Sequence, residues 1–477
     1  MVGKRLASRR GVLKALAVGS LAVIQAACGA TPAAISTTSA STQVPETAAP
    51  TNTAPAQAST GEVHITFAAG GVPSPYGDAF ERQARRFEAK WSADKGQTVK
   101  VETILDPDWN EYHKQKIPTL VAAGTPPDVS WNSGEFVGPY VAKGGWVMEL
   151  DDLLQRDRAI VDIEKDFPPI VKQASMYKGH YICFAEAGMV YQVTLFNKDF
   201  LSANGAEMPD KLYKEGKWTW DTLDSMVKSL TKRDSNGKPV QFGSTTDPYT
   251  GVWGFQSRLW SNGADIYNDD ESDIILASDE GYKQAEIAHK AICEDKVAPR
   301  AEDKDIDWLA SNKLGIGFGW PTAIASWQKK YTFSFDVAPL PAGPKGWFPS
   351  ASFDGWQLAK ATKQKEVAWG YVLFAVGPEE DMTRSLDWTR PPNHISNFDK
   401  WAEDLLKQGR IKNTDLLRES MMKARLAHVI VPERPEFSTA YNNFFAAPIS
   451  NCLMSGKEAV DKLVAELKKL IAARPKS

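Results

Sequence analysis

The feature that most constrains the fold is an alternation of strand and helix patterns that begins at Val63. Val63 to Phe67 alternates as a half-buried strand does, and Thr98 to Ile104 is a second strand pattern. Between them, from Asp78 to Trp91, apolar side chains recur at helical spacing. A second helical pattern, Glu111 to Ala123, precedes the short strand Val129 to Trp131. This β-α-β-α-β order predicts a parallel sheet with helices on its faces.

Other segments carry signals for local structure. Pro118 should kink or restart the helix around it, because proline has no backbone N–H. Thr219 is placed to cap the start of a helix, and Asp234 to Gly237 has the composition of a hairpin turn. Glu458 to Ala473 is predicted to end the chain as an amphipathic helix. Its predicted buried side consists of Val460, Leu463, Val464, Leu467, Leu470 and Ile471.

The first 28 residues have the pattern of an export signal. Arg9-Arg10 resembles a twin-arginine signal, and the apolar run after it is shorter than the ~20 residues that a membrane-spanning helix needs. Cys28 resembles the lipidated cysteine of bacterial lipoproteins, although Gln25 stands where such signals usually have leucine. We expect an exported protein held on the outer face of the cell membrane by a lipid anchor. Ordinary cleavage near Ala27, which would release a soluble protein, is the alternative.

Residues 29–61 form an Ala/Thr/Ser/Pro-rich segment that we interpret as a disordered tether. The rest of the 477-residue chain is long enough for two domains. Five basic residues and no acid precede Cys28, so the remainder carries a formal charge of −8, against −3 for the whole chain. An acidic body argues against nucleic acid as the partner.

Three cysteines remain in the body of the chain: Cys183, Cys293 and Cys452. No pair has CxxC or CxxH spacing, which argues against a zinc site. We expect all three to be small buried residues. One disulfide is the alternative, and the sequence does not choose its partners. The sequence indicates neither a metal nor a cofactor.

Six segments, in this order and spacing, resemble one family. They are Leu120 to Val129, Tyr140 to Leu150, Leu195 to Phe200, Trp218 to Leu223, Gly317 to Trp320 and Val337 to Pro341. On these motifs, Glu62 to Ser477 is similar to the extracellular solute-binding proteins of bacterial ABC transporters. In particular, it resembles the carbohydrate-binding group typified by maltose-binding protein (family 1).

The resemblance implies an α/β fold of the type II-like periplasmic-binding-protein kind. Two lobes joined by a hinge would hold the ligand in the cleft between them. We expect residues 62–190 and 342–377 to form the first lobe. Residues 191–341 and 378–477 would form the second. The resemblance also implies a monomer that delivers its ligand to ABC permease subunits in the membrane.

A sugar ring has apolar C–H faces that pack on aromatic rings, and hydroxyls that bond to carboxylates, amides and arginine. The resemblance and this chemistry together single out Trp131, Asn132, Glu135, Glu186, Trp320, Asp354, Trp356 and Tyr441 as ligand-binding residues. Glu186 has the alternative role of a hinge salt bridge. Trp253, Trp260, Asp108 and Arg390 are weaker candidates that we interpret as structural.

We therefore expect a binding protein for a sugar or oligosaccharide, and not an enzyme. Three other readings stay open. Paired carboxylates near aromatic rings also occur in secreted glycoside-acting enzymes. The ligand of a binding protein could instead be a peptide, a polyamine or a phosphate ester. A signalling or adhesion lipoprotein could use the same scaffold.

Overall fold

The computed structural model describes residues 61–474 except 75, 187, 189, 304 and 305. The predicted signal (residues 1–28), the lipidation site Cys28 and the predicted tether up to residue 60 lie outside the described residues. Within the described part of the chain, no helix has the length and apolar character needed to cross a membrane.

The described residues contain fourteen strands. They are β1 (Val63–Gly70), β2 (Val99–Asp106), β3 (Val129–Ser133), β4 (Met176–Tyr177), β5 (His180–Tyr181), β6 (Phe184–Ala185), β7 (Val193–Asn197), β8 (Lys232–Arg233), β9 (Pro239–Ser244), β10 (Leu314–Gly319), β11 (Phe335–Ala338), β12 (Ser350–Ala351), β13 (Asp354–Leu358) and β14 (Arg425–Leu426).

Helices fill most of the remaining described chain. The α-helices are α1 (Tyr76–Lys95), α2 (Trp109–Glu111), α3 (Ile117–Ala122), α4 (Gly134–Pro139), α5 (Asp151–Arg156), α6 (Pro169–Ser175), α7 (Lys198–Ala203), α8 (Pro209–Lys214), α9 (Trp220–Leu230), α10 (Asp247–Thr250), α11 (Val252–Asn262), α12 (Asp279–His289), α13 (Ile324–Lys330), α14 (Lys365–Val376), α15 (Pro378–Trp388), α16 (Phe398–Lys407), α17 (Thr414–Lys423), α18 (Arg434–Tyr441), α19 (Ala447–Ser450) and α20 (Gly456–Ala472). Short π-helical segments are Tyr112–Lys116, Tyr140–Gly144, Lys290–Glu294 and Asn442–Ala446, and 3-10 turns are Ala301–Asp303, Pro321–Ala323 and Ile395–Asn397.

The first lobe is built on a five-stranded sheet in the order β2-β1-β3-β13-β6. Strand β1 pairs in parallel with both β2 and β3, which confirms the predicted β-α-β-α-β start. Strand β13 comes from much later in the chain and runs antiparallel to β3 and β6. Because β1 and β3 end at the same edge of the sheet, the residues that follow them lie together.

The second lobe is built on another five-stranded sheet, in the order β11-β7-β10-β9-β8. Strand β7 runs antiparallel to β10 and β11, and β10 pairs in parallel with β9. Strands β8 and β9 form the predicted hairpin, in which the Asp234 N–H donates to the carbonyl of Lys238. Helices α9, α11, α12, α18 and α20 contribute buried side chains to the hydrophobic core of this lobe.

Several local predictions are confirmed. The Thr222 N–H donates to the side chain of Thr219, so Thr219 caps helix α9. Helix α20 begins at Gly456 behind a capping box of Ser455 and Glu458. Pro118 lies at the start of α3, after a π-helical turn in which the Ile117 N–H donates to Tyr112. The wider turn restarts the helix where proline cannot donate.

The cysteine prediction needs correction. Cys293 and Cys452 form a disulfide, with their Cα atoms 5.6 Å apart, and only Cys183 of the three is a free buried thiol. The bond joins the π-helical segment that follows α12 to Cys452, which lies two positions after the end of α19. The two cysteines are separated by 159 residues, so only the packing of these two helices brings them together.

The expected lobe boundary at residue 377 also needs correction, because helix α15 packs on the first lobe. Arg384 donates to Gln83, and Trp388 packs edge-on against Phe80, with ring centroids 5.2 Å apart. His394 contacts Asp166, so the 3-10 turn after α15 stays with this lobe as well. We therefore assign residues 62–190 and 342–397 to the first lobe and 191–341 and 398–474 to the second.

Candidate ligand-binding cleft

A cavity of about 240 Å³ lies between the lobes, where the parallel strands β1 and β3 end. Its lining residues are Gly71, Val72, Tyr76, Trp131, Val190, Thr322, Asp354, Trp388 and Arg390. Thr322 comes from the second lobe, Val190 from the crossing between the lobes, and the others from the first lobe. Ligands of open α/β sheets bind at this kind of position, outside the carboxyl ends of the strands.

A second cavity, of about 350 Å³, adjoins the first. Its lining residues are Trp109, Lys114, Glu135, Phe136, Pro435, Ser438, Thr439, Asn442 and Asn443. Gly71 links the two cavities, because it lines the first and its backbone lies against Trp109 of the second. A Cβ atom on Gly71 would lie 2.9 Å from Trp109, and its φ of +71° favours glycine, so a larger residue does not fit there. We call the two cavities together the cleft.

Trp131, one of the predicted ligand-binding residues, lies in the wall of the first cavity. It pairs with Ala69 of the parallel strand β1 and lines the first cavity near the end of β3. Its ring packs edge-on against Phe80, and its Nε1 donates to the carboxylate of Glu186 at 2.9 Å. These contacts hold the indole in one orientation before any ligand arrives.

Glu186 lies at the first crossing between the lobes and is 1% exposed. Arg384 donates to one carboxylate oxygen, and Trp131 donates to the other. Arg390 lies 3.6 Å from that second oxygen, beyond hydrogen-bond distance. This arrangement favours the salt-bridge alternative for Glu186, because both of its oxygens already have partners.

Asp354 opens strand β13 and lines the first cavity. Among the described residues, no group forms a hydrogen bond with its carboxylate. Burial raises the pKa of Asp354 to about 7; the positive charge of Arg390 opposes this shift and Glu186 adds to it. Two residues further along the same face of β13, Trp356 lies in the core against Phe67. We therefore leave Trp356 out of the proposed site.

Asn132 and Tyr441 also point away from the cleft. Asn132 is buried beside Trp131 on β3, and it donates to Gln357 of β13. Successive side chains of a strand point to opposite faces, so Trp131 and Asn132 cannot both face the cavity. Tyr441 is 3% exposed and stacks with Phe437 in the core of the second lobe. We leave both out of the proposed site.

The helical period explains the position of Tyr441 and identifies residues that the sequence reading missed. Phe437, Tyr441 and Phe445 form one row on the segment that includes α18, and all three are buried. Ser438, Thr439, Asn442 and Asn443 occupy the other side and line the second cavity. The alternation of aromatic and small polar residues every three or four positions was a signal for this division.

Glu135 lines the second cavity and forms an ion pair with Arg434 of the second lobe, at 3.0 Å. The guanidinium of Arg434 also lies over the ring of Trp253, 5.0 Å from its centroid. Trp320 packs edge-on against Trp253, at 5.3 Å. Trp320 lines neither cavity, although Thr322, two residues later, does. Glu135 and Trp320 thus lie at the border between the lobes.

The sequence reading interpreted Arg390 as structural and did not single out Tyr76 or Trp388. All three line the first cavity. Arg390 stacks on Trp388, with the guanidinium 3.8 Å from the ring centroid. A tryptophan and an arginine placed before Pro391-Pro392 were the available signal, since such a segment has little conformational freedom.

A larger groove of about 960 Å³ is a weaker candidate. Several of the polar side chains that line it already have partners: His428 contacts Asp265 at 2.9 Å and Glu271 at 2.7 Å, and Arg474 bonds to Glu433. The described residues also include one group of three potential metal ligands, whose atoms lie within 4.8 Å of one another. The group consists of Glu149, Asp151 and His180. None of the three lines the cleft.

Comparison with solved structures shows proteins of the same fold. An ABC substrate-binding protein of Listeria monocytogenes in complex with cycloalternan is 20% identical, with a TM-score of 0.70; the match covers 86% of this chain and 100% of that chain. The cyclic alpha-maltosyl-1,6-maltose binding protein of Arthrobacter globiformis is 17% identical, with a TM-score of 0.69 and coverages of 86% and 99%. A solute-binding protein of Thermotoga lettingae bound to alpha-D-tagatose is 18% identical, with a TM-score of 0.67 and coverages of 86% and 100%.

These likenesses establish the two-lobed α/β fold. Among curated protein sequences, no match was found. The sequence pattern of one family, described as bacterial extracellular solute-binding protein, matches residues 75–382. The match covers more than half of the chain, including strands from both sheets that border the cleft. The chain therefore belongs to the family of bacterial extracellular solute-binding proteins.

Proposed function

We propose that the protein captures a sugar or oligosaccharide in the cleft and delivers it to the permease of an ABC importer. The observation that carries the proposal is the lining of the first cavity. Trp131 and Trp388 offer indole rings there, beside the carboxylate of Asp354 and the guanidinium of Arg390. Aromatic rings beside hydrogen-bonding groups suit the C–H faces and hydroxyls of a pyranose.

The structural neighbours support a sugar as the ligand class. The Listeria protein was solved with cycloalternan, the Thermotoga protein with tagatose, and the Arthrobacter protein binds a cyclic maltosyl-maltose. Their identities of 17% to 20% carry the fold alone, so the ligand class rests on the lining of the cleft as well.

In the proposed cycle, the lobes close over the ligand and the closed form docks on the membrane permease. The Glu135–Arg434 ion pair spans the two lobes and would form as they close. We further propose that the twin-arginine signal exports the chain and that a lipid on Cys28 holds it, as a monomer, near its permease. The lobe assignment given above belongs to the same proposal.

An enzyme acting on glycosides is the second candidate function. A glycosidase needs two carboxyl groups free to act on one bond. Asp354 lines the cleft, and Glu186 is joined to it by a backbone hydrogen bond, but Arg384 and Trp131 occupy the oxygens of Glu186. This pairing favours binding over hydrolysis.

Isothermal titration calorimetry of the mature chain against a panel of neutral oligosaccharides tests the proposal. We expect micromolar or tighter binding of at least one sugar, with no change in the sugar after prolonged incubation. Turnover would support the enzyme. Failure of every sugar, together with binding of a peptide, polyamine or phosphate ester, would overturn the carbohydrate assignment.

A further inference from the structure

The side chain of Arg390 is buried in the cleft wall without a full set of partners. Helix α15 ends at Trp388, Thr389 takes a left-handed conformation (φ +50°), and Pro391 and Pro392 follow. A β-branched residue rarely adopts this conformation, so packing must hold the segment in place. Arg390 is only 3% exposed. Its Nε and Nη2 have no hydrogen-bond acceptor among the described residues.

Glu186 does not satisfy Arg390. Its nearer oxygen lies 3.6 Å from Nη2 and already accepts a hydrogen bond from Trp131, and its other oxygen accepts from Arg384. A buried donor without an acceptor costs about 1–3 kcal/mol, and more when it is charged. No acceptor among the described residues completes the arrangement, and a ligand in the cavity that Arg390 lines can supply one to its guanidinium.

Asp354, in the same cavity, lacks a hydrogen-bond donor from the described residues, whereas Arg390 lacks an acceptor. Its carboxylate only accepts hydrogen bonds when ionised, and no group in the described part of the chain donates to it. Arg390 and Asp354 thus line the same cavity beside the rings of Trp131 and Trp388, and neither side chain has a hydrogen-bond partner among the described residues.

Charges of both signs surround this wall of the cavity, and the buried carboxylate of Asp381 adds a negative charge near Arg390. Arg384 and Arg390 supply two positive charges, and Glu186 and Asp354 supply two negative charges. An anionic ligand group near Arg390 would face Asp354 and Glu186, and a cationic group near Asp354 would face Arg390. A hydroxyl group both donates and accepts, so it can satisfy either side without adding a charge.

We propose that Arg390 and Asp354 bind neighbouring hydroxyls of one uncharged sugar unit, and that the pair selects neutral sugars over sugar acids and sugar phosphates. The inference rests on the proposed function and narrows its ligand class. Arg390 is then a specificity-determining residue: it donates to hydroxyl oxygens, while Asp354 accepts from hydroxyl protons. The rings of Trp131 and Trp388 lie against the same sugar unit.

Calorimetry at about pH 8, where Asp354 is ionised, compares two groups of probes on the mature chain. The neutral probes are maltotriose and D-tagatose, and the acidic probes are digalacturonate and glucose 6-phosphate. The wild type should bind a neutral probe and bind both acidic probes at least about ten-fold more weakly. Arg390→Gln should weaken the neutral probe by about 10- to 100-fold, the effect of losing hydrogen bonds to a charged group.

Asp354→Asn removes one negative charge, so it should weaken the neutral probe and narrow the gap between the acidic and neutral probes. Arg82→Gln is the matched control, because Arg82 pairs with Asp387 of α15 on the exposed surface. Its affinities should equal those of the wild type. Circular dichroism checks the fold of each variant, and Arg390→Lys, which keeps the charge, replaces Arg390→Gln if that variant does not fold.

Two results would overturn the inference alone: an acidic probe that binds the wild type more tightly than the neutral probes, or a neutral affinity unchanged within two-fold in both cleft variants. In either case sugar binding, and with it the proposed function, stands. A wild type that binds none of the four probes and no other sugar overturns the proposed function and this inference together.

Discussion

At the residue scale, Glu186 shows how one carboxylate organises the cleft. It joins Arg384 of α15 to Trp131 of β3, and all three side chains are more than nine-tenths buried. Its backbone N–H also donates to the carbonyl of Asp354, at 2.7 Å. The orientation of the cleft residues therefore depends on a buried ion pair at the point where the chain first crosses between the lobes.

Glu186→Gln tests this dependence. The change leaves the guanidinium of Arg384 buried without its counter-charge, and breaking such a pair costs about 3–5 kcal/mol. We expect chemical denaturation to show a loss of unfolding free energy of about that size. Glu366→Gln is the control, because Glu366 is 65% exposed where it pairs with Arg156; its loss should stay below about 1 kcal/mol. Equal effects in the two variants would contradict the structural role of Glu186.

Asp354 gives a prediction about pH. Its pKa is about 7 in the folded protein and about 3.9 in an unfolded chain. Between these values the folded state binds more protons, so the Asp354 contribution to the unfolding free energy falls as pH rises, and it stays low above pH 7.

Asp354→Asn removes the loss of unfolding free energy that ionisation of Asp354 causes. The carboxylate is partly exposed to the cavity, so we expect a gain of about 1–2 kcal/mol at pH 8 and almost none at about pH 4. Denaturation of both proteins across this range measures the difference. Asp399→Asn, a change at an exposed site, should show no such trend. A difference that does not grow with pH would refute the raised pKa.

At the scale of elements, the disulfide holds the end of the α12 segment to the end of α19. Removing a native disulfide typically costs about 2–5 kcal/mol, and the loop closed here is long. Cys293→Ser with Cys452→Ser should lower the unfolding free energy by that amount, and a reductant should do the same to the wild type.

The double serine variant should show no further response to the reductant. Cys183→Ala provides the control, since Cys183 is a free buried thiol: it loses packing but keeps its sensitivity to the reductant. If the reductant leaves the melting temperature of the wild type unchanged, the disulfide does not contribute to stability as expected.

The direction of strand β13 explains why the sequence predicted the position of Asp354 correctly and that of Trp356 wrongly. Asp354 and Trp356 seemed equivalent in sequence, as a carboxylate and an aromatic ring close together. Because β13 runs antiparallel to β3, Asp354 lies beside the end of β3 and Trp356 lies deeper, opposite Trp131. Long-range strand pairing of this kind leaves no local pattern from which depth can be read.

At the scale of the whole molecule, the Glu135–Arg434 pair links closure to ligand binding. Glu135→Gln removes the charge that pairs with Arg434 across the proposed lobe border, so we expect it to weaken the closed state. We expect small-angle scattering to show a larger radius of gyration for the ligand-free variant than for the wild type. A saturating sugar should bring both proteins to the same value, because ligand binding shifts the population toward the closed state.

The affinity of Glu135→Gln for the sugar should fall by less than about ten-fold, because only the equilibrium between the open and closed states changes. Glu436→Gln, a change at a neighbouring acidic position in α18, provides a comparison in the same region. If the ligand-free radii of the wild type and Glu135→Gln agree, the pair does not hold the lobes together.

The sequence by itself determined the β-α-β-α-β start of the first sheet, the helix cap at Thr219, the last helix of the chain, and membership of the solute-binding family. These features depend on local periodicity and on motifs in a set order. It also pointed to Trp131, near the end of β3, and to Asp354, at the start of β13, and both line the cleft.

Only the tertiary structure decided which candidates face the cleft. It placed Asn132, Trp356 and Tyr441 in the interior, joined Cys293 to Cys452, and packed α15 on the first lobe. It also brought Arg390 beside Asp354, 36 positions earlier in the chain. Each outcome depends on contacts between segments far apart in sequence, and the energy of such contacts comes from burial and charge pairing that no local pattern encodes.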